Sequence, residues 1–188
     1  MNRKKKLLIV STTGGTLIFY QNLMPELKQE FEVVVCSRND VHSDRFSKEY
    51  CVNLKHVDFS RNFELKSDLR AFWQMREVIS LTKPDIILFN TPKASTIGLL
   101  VSRSLGVFNR IYVIHGLRYQ GFSGTKRLFY SWIERLNFLN STNLVSVSEG
   151  IRSTLTEERM TKKNLELFHF GSLSGVDVKK FTLSRKQK

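Results

Sequence analysis

A titratable ring, a glycine and a cation follow a hydrophobic run in the segment IYVIHGLRYQGF, residues 111–122. His115 and Gly116 come directly after the run, and Arg118 lies close behind them. An imidazole can transfer protons near neutral pH or donate a hydrogen bond to a sugar hydroxyl, whereas a guanidinium binds anions. A hydrogen-bonded structural histidine would also fit, but the position between a hydrophobic run and a glycine-bearing loop favours a functional His115.

Glycines and a lysine follow two other hydrophobic runs. Gly14, Gly15 and Thr16 lie between one such run and a helical segment. Two glycines let the backbone approach a ligand closely, and the N-terminus of a helix favours an anion. A tight turn alone would explain the pair equally well. Lys93, in the segment NTPK, has the position to reach an anion, although a solvated lysine is an equally good interpretation.

Several nucleotide-binding and metal-binding signatures are absent from the sequence. Neither GxGxxG nor GxxxxGK[ST] occurs, which argues against a dinucleotide-dependent enzyme and against a P-loop enzyme. There is no DxD motif, so an enzyme that holds a nucleotide diphosphate through a divalent metal on such a motif is disfavoured. The histidines show no metal-ligand spacing. We therefore expect neither a metal nor a cofactor.

Short hydrophobic runs alternate with longer amphipathic segments along the chain. Hydrophobic runs without polar alternation predict strands that are buried on both faces of a parallel sheet. The predicted strands cover residues 6–12, 32–36, 54–59, 85–89, 110–114, 143–147 and 164–170. Helical spacing predicts helices over residues 17–30, with a kink at Pro25, and over residues 65–81, 94–105, 125–140 and 149–160.

This alternation predicts an α/β domain with a doubly wound, mostly parallel, Rossmann-like sheet over residues 1–170. In such sheets, ligands bind beyond the carboxyl ends of the strands. The candidate residues named above all follow predicted strands, and Ser148 and Glu149 follow the run NLVSV in the same way. The topology therefore predicts that these residues share one ligand-facing edge.

The predicted helix over residues 125–140 has an apolar side with basic residues near its edges. A helix of this kind can lie on a membrane surface or pack on a sheet, and packing is the more common arrangement. We therefore predict that the apolar side packs. It consists of Leu128, Phe129, Trp132, Ile133, Leu136 and Leu139.

The formal net charge of +13 over 188 residues predicts a positive surface that attracts nucleic acid, acidic lipid or phosphorylated small molecules. No nucleic-acid-binding signature occurs, so nucleic acid is disfavoured as a partner. Cys36 and Cys51 are the only cysteines, which favours a reducing compartment and no structural zinc. No apolar run has the length of a signal-peptide core or a membrane span. These features predict a cytoplasmic protein.

Five segments, in this order and spacing, resemble the N-terminal domain of family 4 glycosyltransferases of the bacterial surface-polysaccharide type, the enzymes of capsule and O-antigen synthesis. They are KLLIVSTTGGTL, KPDIILFNTPKAS, YVIHGLRYQG, LVSVSEG and GSLSGVDVKKF. The resemblance implies the N-terminal half of a GT-B fold, in which two Rossmann-like domains face each other across a cleft. It implies retaining, metal-independent transfer of a hexosyl group from a nucleotide sugar to a glycan or lipid-linked acceptor.

The resemblance also implies roles for the polar loops. It makes His115 the active-site histidine near the transferred sugar, and it places Gly14 and Gly15 near the donor phosphates. The acceptor would contact Lys93 and Arg118. The remaining rim positions that would bind substrate are Thr16, Gly116, Ser148 and Glu149.

The same resemblance leads us to expect an interdomain linker to begin at residues 171–188, with the C-terminal donor domain absent and little activity from this chain alone. The paired glutamates of that domain have E-x7-E spacing, which recurs here in Glu149–Glu157 and in Glu158–Glu166. We interpret both as chance, because neither lies in a donor-domain context. An alternative is a non-catalytic binding module that pairs with a separate donor-domain chain. A basic surface would also suit peripheral binding to the inner face of the plasma membrane.

Overall fold

The computed structural model describes residues 3–60 and 64–168, together with Leu173 and Gly175. Seven strands in these residues form one sheet, and every neighbouring pair in it is parallel. The strands are β1 (Lys5–Val10), β2 (Phe31–Ser37), β3 (Asn53–His56), β4 (Ile86–Phe89), β5 (Asn109–Ile114), β6 (Asn143–Ser146) and β7 (Leu165–Leu167). Their order across the sheet is β3-β2-β1-β4-β5-β6-β7.

Helices cover both faces of the sheet, because the central strands are hydrophobic on both sides. The α-helices are α1 (Met24–Glu30), α2 (Val41–Tyr50), α3 (Leu65–Thr82), α4 (Pro92–Ser104), α5 (Gly124–Asn140) and α6 (Glu149–Glu157). Helices α3 to α6 contribute to the core on one face, whereas α1 and α2 contribute to the core on the other. The predicted α/β, doubly wound, Rossmann-like sheet is confirmed.

Two differences from the predicted elements lie between β1 and β3. The predicted helix over residues 17–30 is a 3-10 helix (Gly14–Tyr20) followed by α1, and Pro25 lies in the first turn of α1 rather than at a kink. Proline is tolerated there because the first-turn N–H groups have no intrahelical partner. Helix α2 was not predicted, since it is mostly polar and buries only Ser43 and Phe46. Its one sequence signal is the capping box in which the Asp40 and Ser43 side chains each accept a backbone N–H.

The last predicted strand and the predicted linker fall largely outside the described residues. Strand β7 ends at Leu167, and residues 169 and 170 are not described. Of the predicted linker, only Leu173 and Gly175 are described. Among the described helices, none is both long enough and apolar enough to cross a bilayer.

Helix α5 is not packed as its hydrophobicity predicts. Leu128, Trp132 and Leu139 are 71%, 59% and 65% exposed, and Phe129 is also exposed. The prediction that this side packs is therefore wrong for these four residues. The inward side includes Ile133 and Phe138, but also a set of buried polar residues, namely Glu134, Asn137 and Asn140.

The buried Glu134 carboxyl is bonded to the sheet below it. The Tyr112 hydroxyl donates to Glu134 Oε2 at 3.0 Å, and Glu134 is only 1% exposed. Burial raises the pKa of Glu134 to about 7, against the lowering effect of hydrogen bonds from Tyr112 and Asn137. The carboxyl therefore holds its proton in the folded chain at a pH at which it would ionise in the unfolded chain.

We predict that Glu134→Gln changes the pH dependence of folding. In the parent chain, the stabilising effect of the raised pKa is fully present below pH 4.5, the ordinary value for this carboxyl, and is lost as pH rises through about 7. The amide keeps a neutral acceptor for Tyr112 but cannot ionise. Between pH 4.5 and pH 8, the parent should therefore lose about 2–3 kcal/mol more unfolding free energy than the variant does.

Urea unfolding at the two pH values measures this difference. The exposed Glu157, in α6, provides the matched control as Glu157→Gln. An equal pH dependence in the Glu134 variant and the parent would contradict the prediction.

Candidate functional site

The loops that follow β1 and β4 are joined at the carboxyl edge of the sheet. The backbone N–H of Thr12 donates to Thr91 Oγ1 at 2.9 Å, and the two threonine hydroxyls lie 2.6 Å apart. Beside them, the Tyr20 hydroxyl donates to Asn90 Oδ1, and Asn90 Nδ2 donates to the carbonyl of Val10 at 3.3 Å. Strands β1 and β4 are neighbours in the sheet, so these contacts hold the two loops together at its carboxyl edge.

A cavity of about 380 Å³ lies at this edge, beside the ends of β4 and β5. It brings together four residues predicted from the sequence to bind substrate or to act in catalysis: Thr16, His115, Gly116 and Arg118. The remaining lining residues are Phe19, Asn90, Thr91, Pro92, Tyr112 and Leu117. The topology thus assembles this cavity from three separate segments of the chain.

His115 lies on one wall of the cavity with its ring stacked on Phe19, at 4.6 Å between ring centroids and 20° between planes. Its Nε2 atom is buried, and no hydrogen-bond partner for it lies within the described part of the chain. Burial lowers the pKa of His115 to about 4. The ring is therefore neutral at pH 7, and its Nε2 is left unsatisfied. An unsatisfied buried polar atom is costly, so a ligand that bonds to it gains affinity.

Arg118 lies in the cavity wall next to aromatic rings. Its guanidinium lies 4.7 Å from the centroid of the Tyr130 ring, which stacks on Phe122 with 4.6 Å between centroids. Cation–π contact of this kind orients a guanidinium without neutralising its charge. Arg118 can therefore present a positive charge to an anionic group in the cavity.

The two glycines after β1 have different surroundings. A Cβ on Gly14 would lie 2.6 Å from the Cα of Ser43 and 2.5 Å from Asp40 Oδ1, whereas a Cβ on Gly15 would meet nothing within 4 Å. The N–H of Gly14 donates to Asp40 Oδ2 at 3.0 Å. Gly14 thus permits close packing on α2, and Gly15 is the glycine that leaves open space at the rim.

Asp40 links the glycine loop to α2 as a charged cap. Burial opposes ionisation of Asp40, but hydrogen bonds from the N–H groups of Gly14, Ser43 and His42 outweigh it and lower the pKa of this carboxyl. An ionised carboxylate at a helix N-terminus also interacts favourably with the helix dipole. Thr16 is held in the same loop, where its hydroxyl donates to the carbonyl of Thr13 at 2.9 Å.

The prediction that Lys93 reaches an anion from the rim needs correction. Its side chain is only 2% exposed, and its Nζ lies 2.5 Å from Asp68 Oδ1 and 2.7 Å from Ser60 Oγ. A buried ammonium requires a partner, and Asp68 on α3 provides one. The structure therefore uses Lys93 to join α4 to α3.

Ser148 and Glu149 are separated from the His115 cavity. The Ser148 side chain caps α6 by accepting from the N–H of Ile151. Glu149 forms an ion pair with Arg152 at 2.9 Å and lines a different groove, of about 720 Å³, between α6 and the residues that lead into β7. Both residues follow β6 along the chain, as their sequence position predicted, but their side chains do not line the cavity.

Six residues of the cavity were not identified as site residues from the sequence, namely Phe19, Asn90, Thr91, Pro92, Tyr112 and Leu117. Asn90 and Thr91 follow a buried strand directly, and this position was a usable signal for them. Phe19 and Tyr112 were missed because an aromatic residue in a hydrophobic segment usually indicates core. The described residues contain no cluster of three or more histidine, cysteine or carboxylate side chains that could hold a metal ion.

A family model and a curated relative each match most of this chain. A family model described as "Glycosyl transferase 4-like" matches residues 6–148. The capsular polysaccharide biosynthesis glycosyltransferase CapM of Staphylococcus aureus is 27% identical over 177 residues, which are 91% of this chain and 47% of CapM. The chain therefore spans about half the length of this curated relative.

Solved structures show the same fold at lower identity. The S. aureus MnaA structure with UDP has a TM-score of 0.66 and 20% identity, and the match covers 98% of this chain and 48% of MnaA. The structure of Anabaena Alr3699/HepE with UDP-glucose has a TM-score of 0.67 and 14% identity, covering 96% of this chain and 47% of that protein. The chain matches one half of each, as expected for one Rossmann-like half of a GT-B fold.

We predict that the two glycines respond oppositely to one added methyl group. Gly14→Ala should lower the unfolding free energy by about 2 kcal/mol or more, because the methyl group overpacks the contact with α2. Gly15→Ala should leave stability nearly unchanged, since its methyl group enters open space. Urea unfolding of both variants is the measurement, and equal stabilities would contradict the assigned packing of Gly14.

Proposed function

Because the chain belongs to the glycosyl transferase 4-like family, we propose that it forms the acceptor-side half of a hexosyl transferase for surface polysaccharide. The donor is a nucleotide sugar, and the acceptor is a glycan or a lipid-linked sugar. The donor half of the cleft comes from a second domain, in the same chain or in a partner chain. The similarity to CapM supports capsule-type polysaccharide as the product.

One observation carries this proposal: the neutral His115 ring, whose buried Nε2 has no hydrogen-bond partner among the described residues, lines the cavity beside the β4 and β5 loops. With a pKa of about 4, His115 is too weak a base at neutral pH to remove a hydroxyl proton effectively. A neutral imidazole can instead form a hydrogen bond with a sugar hydroxyl. We therefore assign His115 to orienting a sugar at the reacting position.

The other cavity residues supply contacts that suit the same ligand. Arg118 presents a cation to a phosphate or a carboxylate, and Thr16 and Gly116 also line the cavity. Phe19 offers a flat apolar face next to His115, which suits the less polar face of a sugar ring. MnaA and HepE, whose structures contain UDP and UDP-glucose, support a nucleotide-sugar donor.

The proposed reaction retains the configuration at the anomeric carbon and needs no metal. Both features rest on the family and on the sequence, which lacks a DxD motif. None of the four glutamates with E-x7-E spacing lines the cavity, and one member of each pair has a structural partner. Glu158 accepts from the Tyr119 hydroxyl at 2.6 Å and from Arg127 at 3.0 Å, and Glu149 pairs with Arg152.

A transfer assay tests the proposal. We would fuse residues 1–188 to the half of CapM that this chain does not match, and offer labelled uridine- and guanosine-diphosphate sugars with a membrane lipid extract. We expect label to enter the lipid fraction from one class of donor. Transfer by the 188-residue chain without the added half would contradict the assignment of the donor site to a second domain.

His115→Ala in this fusion should lower transfer by about 100-fold, which is within the usual range for loss of an oriented polar group at a reacting centre. The matched control is His42→Ala, because His42 is exposed on α2 and lies outside the cavity. A fully active His115 variant would remove this residue from the proposed site.

The same assay should show a pH dependence set by His115. Because the working form is neutral and the pKa is lowered to about 4, transfer should be flat from pH 8 down to about pH 5 and fall below that. Unfolding at each pH is followed by circular dichroism to separate inactivation from loss of fold. A decline that begins near pH 6.5 in a folded chain would show that His115 titrates normally.

A further inference from the structure

Part of helix α5 exposes apolar residues and buries polar ones. Leu128, Trp132, Arg135 and Leu139 follow one another at helical spacing and are all exposed, whereas the single acidic residue of the helix, Glu134, is buried. A helix packed on a sheet normally shows the opposite arrangement. The exposed stripe therefore needs an explanation that packing within the described residues does not provide.

Helix α3 has a second exposed apolar stripe in the same layer. Leu65, Leu69 and Trp73 are 88%, 57% and 59% exposed, and they recur every four residues. Helices α3 and α5 both pack against α4, so the two stripes lie on the outer surface of one three-helix layer. Both tryptophans of the chain, Trp73 and Trp132, are on this surface.

Basic residues border both stripes. On α5, Arg135 is exposed within the stripe, and the one acidic residue of that helix, Glu134, is buried. The exposed side of α3 carries three basic residues, Lys66, Arg70 and Arg76, against the acidic residues Glu64 and Glu77. We call this surface, formed by the exposed residues of α3 and α5, the outer helical surface.

We propose that the outer helical surface binds the headgroup region of an anionic lipid bilayer. Tryptophan and leucine side chains enter the boundary between headgroups and acyl chains, and flanking lysine and arginine side chains contact anionic headgroups. This inference deepens the proposed function, on which it rests only in taking the acceptor to be lipid-linked.

Charge favours a bilayer over a second copy of the chain. Two copies that met through this surface would bring together their basic residues, in a protein with a formal net charge of +13. An anionic bilayer instead attracts the same residues and accepts the apolar side chains between them. The surface thus has the composition of a lipid-binding face.

The position of α5 connects this surface to the cavity. Helix α5 packs against the short 3-10 helix (Arg118–Gly121), which contains the cavity residue Arg118. The helix that carries one of the two stripes therefore also supports a wall of the cavity.

Vesicle flotation tests the proposal on the 188-residue chain, without any nucleotide sugar. We expect binding to vesicles of equal parts phosphatidylcholine and phosphatidylglycerol, little binding to phosphatidylcholine alone, and a blue shift of tryptophan fluorescence on binding. Raising the salt concentration from about 0.1 M to 1 M should weaken binding, because it shortens the Debye length from about 10 Å to about 3 Å.

The variant Leu128→Ser/Trp132→Ser should lower the vesicle partition coefficient by about tenfold or more, and it should fold normally because both positions are exposed. Phe108→Ser is the matched control, since Phe108 is 78% exposed but precedes β5, outside the outer helical surface. Equal partition of the double variant and the parent would overturn the proposal.

Absence of binding to anionic vesicles would also overturn it. Self-association in sedimentation, lost in the double variant and unaccompanied by vesicle binding, would assign the surface to a second copy. Sugar transfer by the fusion to a water-soluble acceptor is scored separately, so failure of vesicle binding and failure of the transferase assignment give different results.

Discussion

The candidate site depends on the contact between Thr12 and Thr91, which joins the loops that follow β1 and β4. Strand β1 lies between β2 and β4, so the chain leaves β1 toward one face of the sheet and leaves β4 toward the other. Such a divergence opens a crevice at the carboxyl edge, which is where open α/β sheets bind ligands. The threonine hydroxyls and the Tyr20–Asn90 hydrogen bond hold the two loops together at the base of that crevice. His115, one strand further along, then lines the crevice instead of the core.

The order of hydrophobic runs and amphipathic segments along the sequence was sufficient to predict the sheet. Uninterrupted hydrophobic runs such as residues 7–10 can only be buried on both sides, and in sequence they alternate with helices, which requires parallel pairing. Helix α2 was not predicted because its stability depends on a cap and on Phe46, not on a broad apolar stripe. The candidate site followed from the same topology, since His115, Gly116 and Arg118 come directly after a strand.

What the sequence could not supply was the partner of each polar side chain. Lys93 has the sequence position of a ligand-binding lysine, but Asp68, which pairs with it, lies 25 residues away on another helix. Gly14 and Gly15 are identical neighbours in the chain, and only the approach of Asp40 and Ser43 to Gly14 distinguishes them. Helix α5 shows the same limit for hydrophobic residues, because its periodicity defines an apolar side without stating whether a sheet or solvent faces it.

The inward polar residues and the outward apolar residues of α5 belong to one arrangement. Glu134, Asn137 and Asn140 can be buried because Tyr112, Pro92 and Arg103 provide hydrogen bonds from the elements beneath. That network fixes the rotation of α5 about its axis, and this rotation turns Trp132 and Leu139 away from the core. The same Tyr112 side chain lines the cavity next to His115. One buried network therefore sets both the wall of the candidate site and the direction of the exposed apolar stripe.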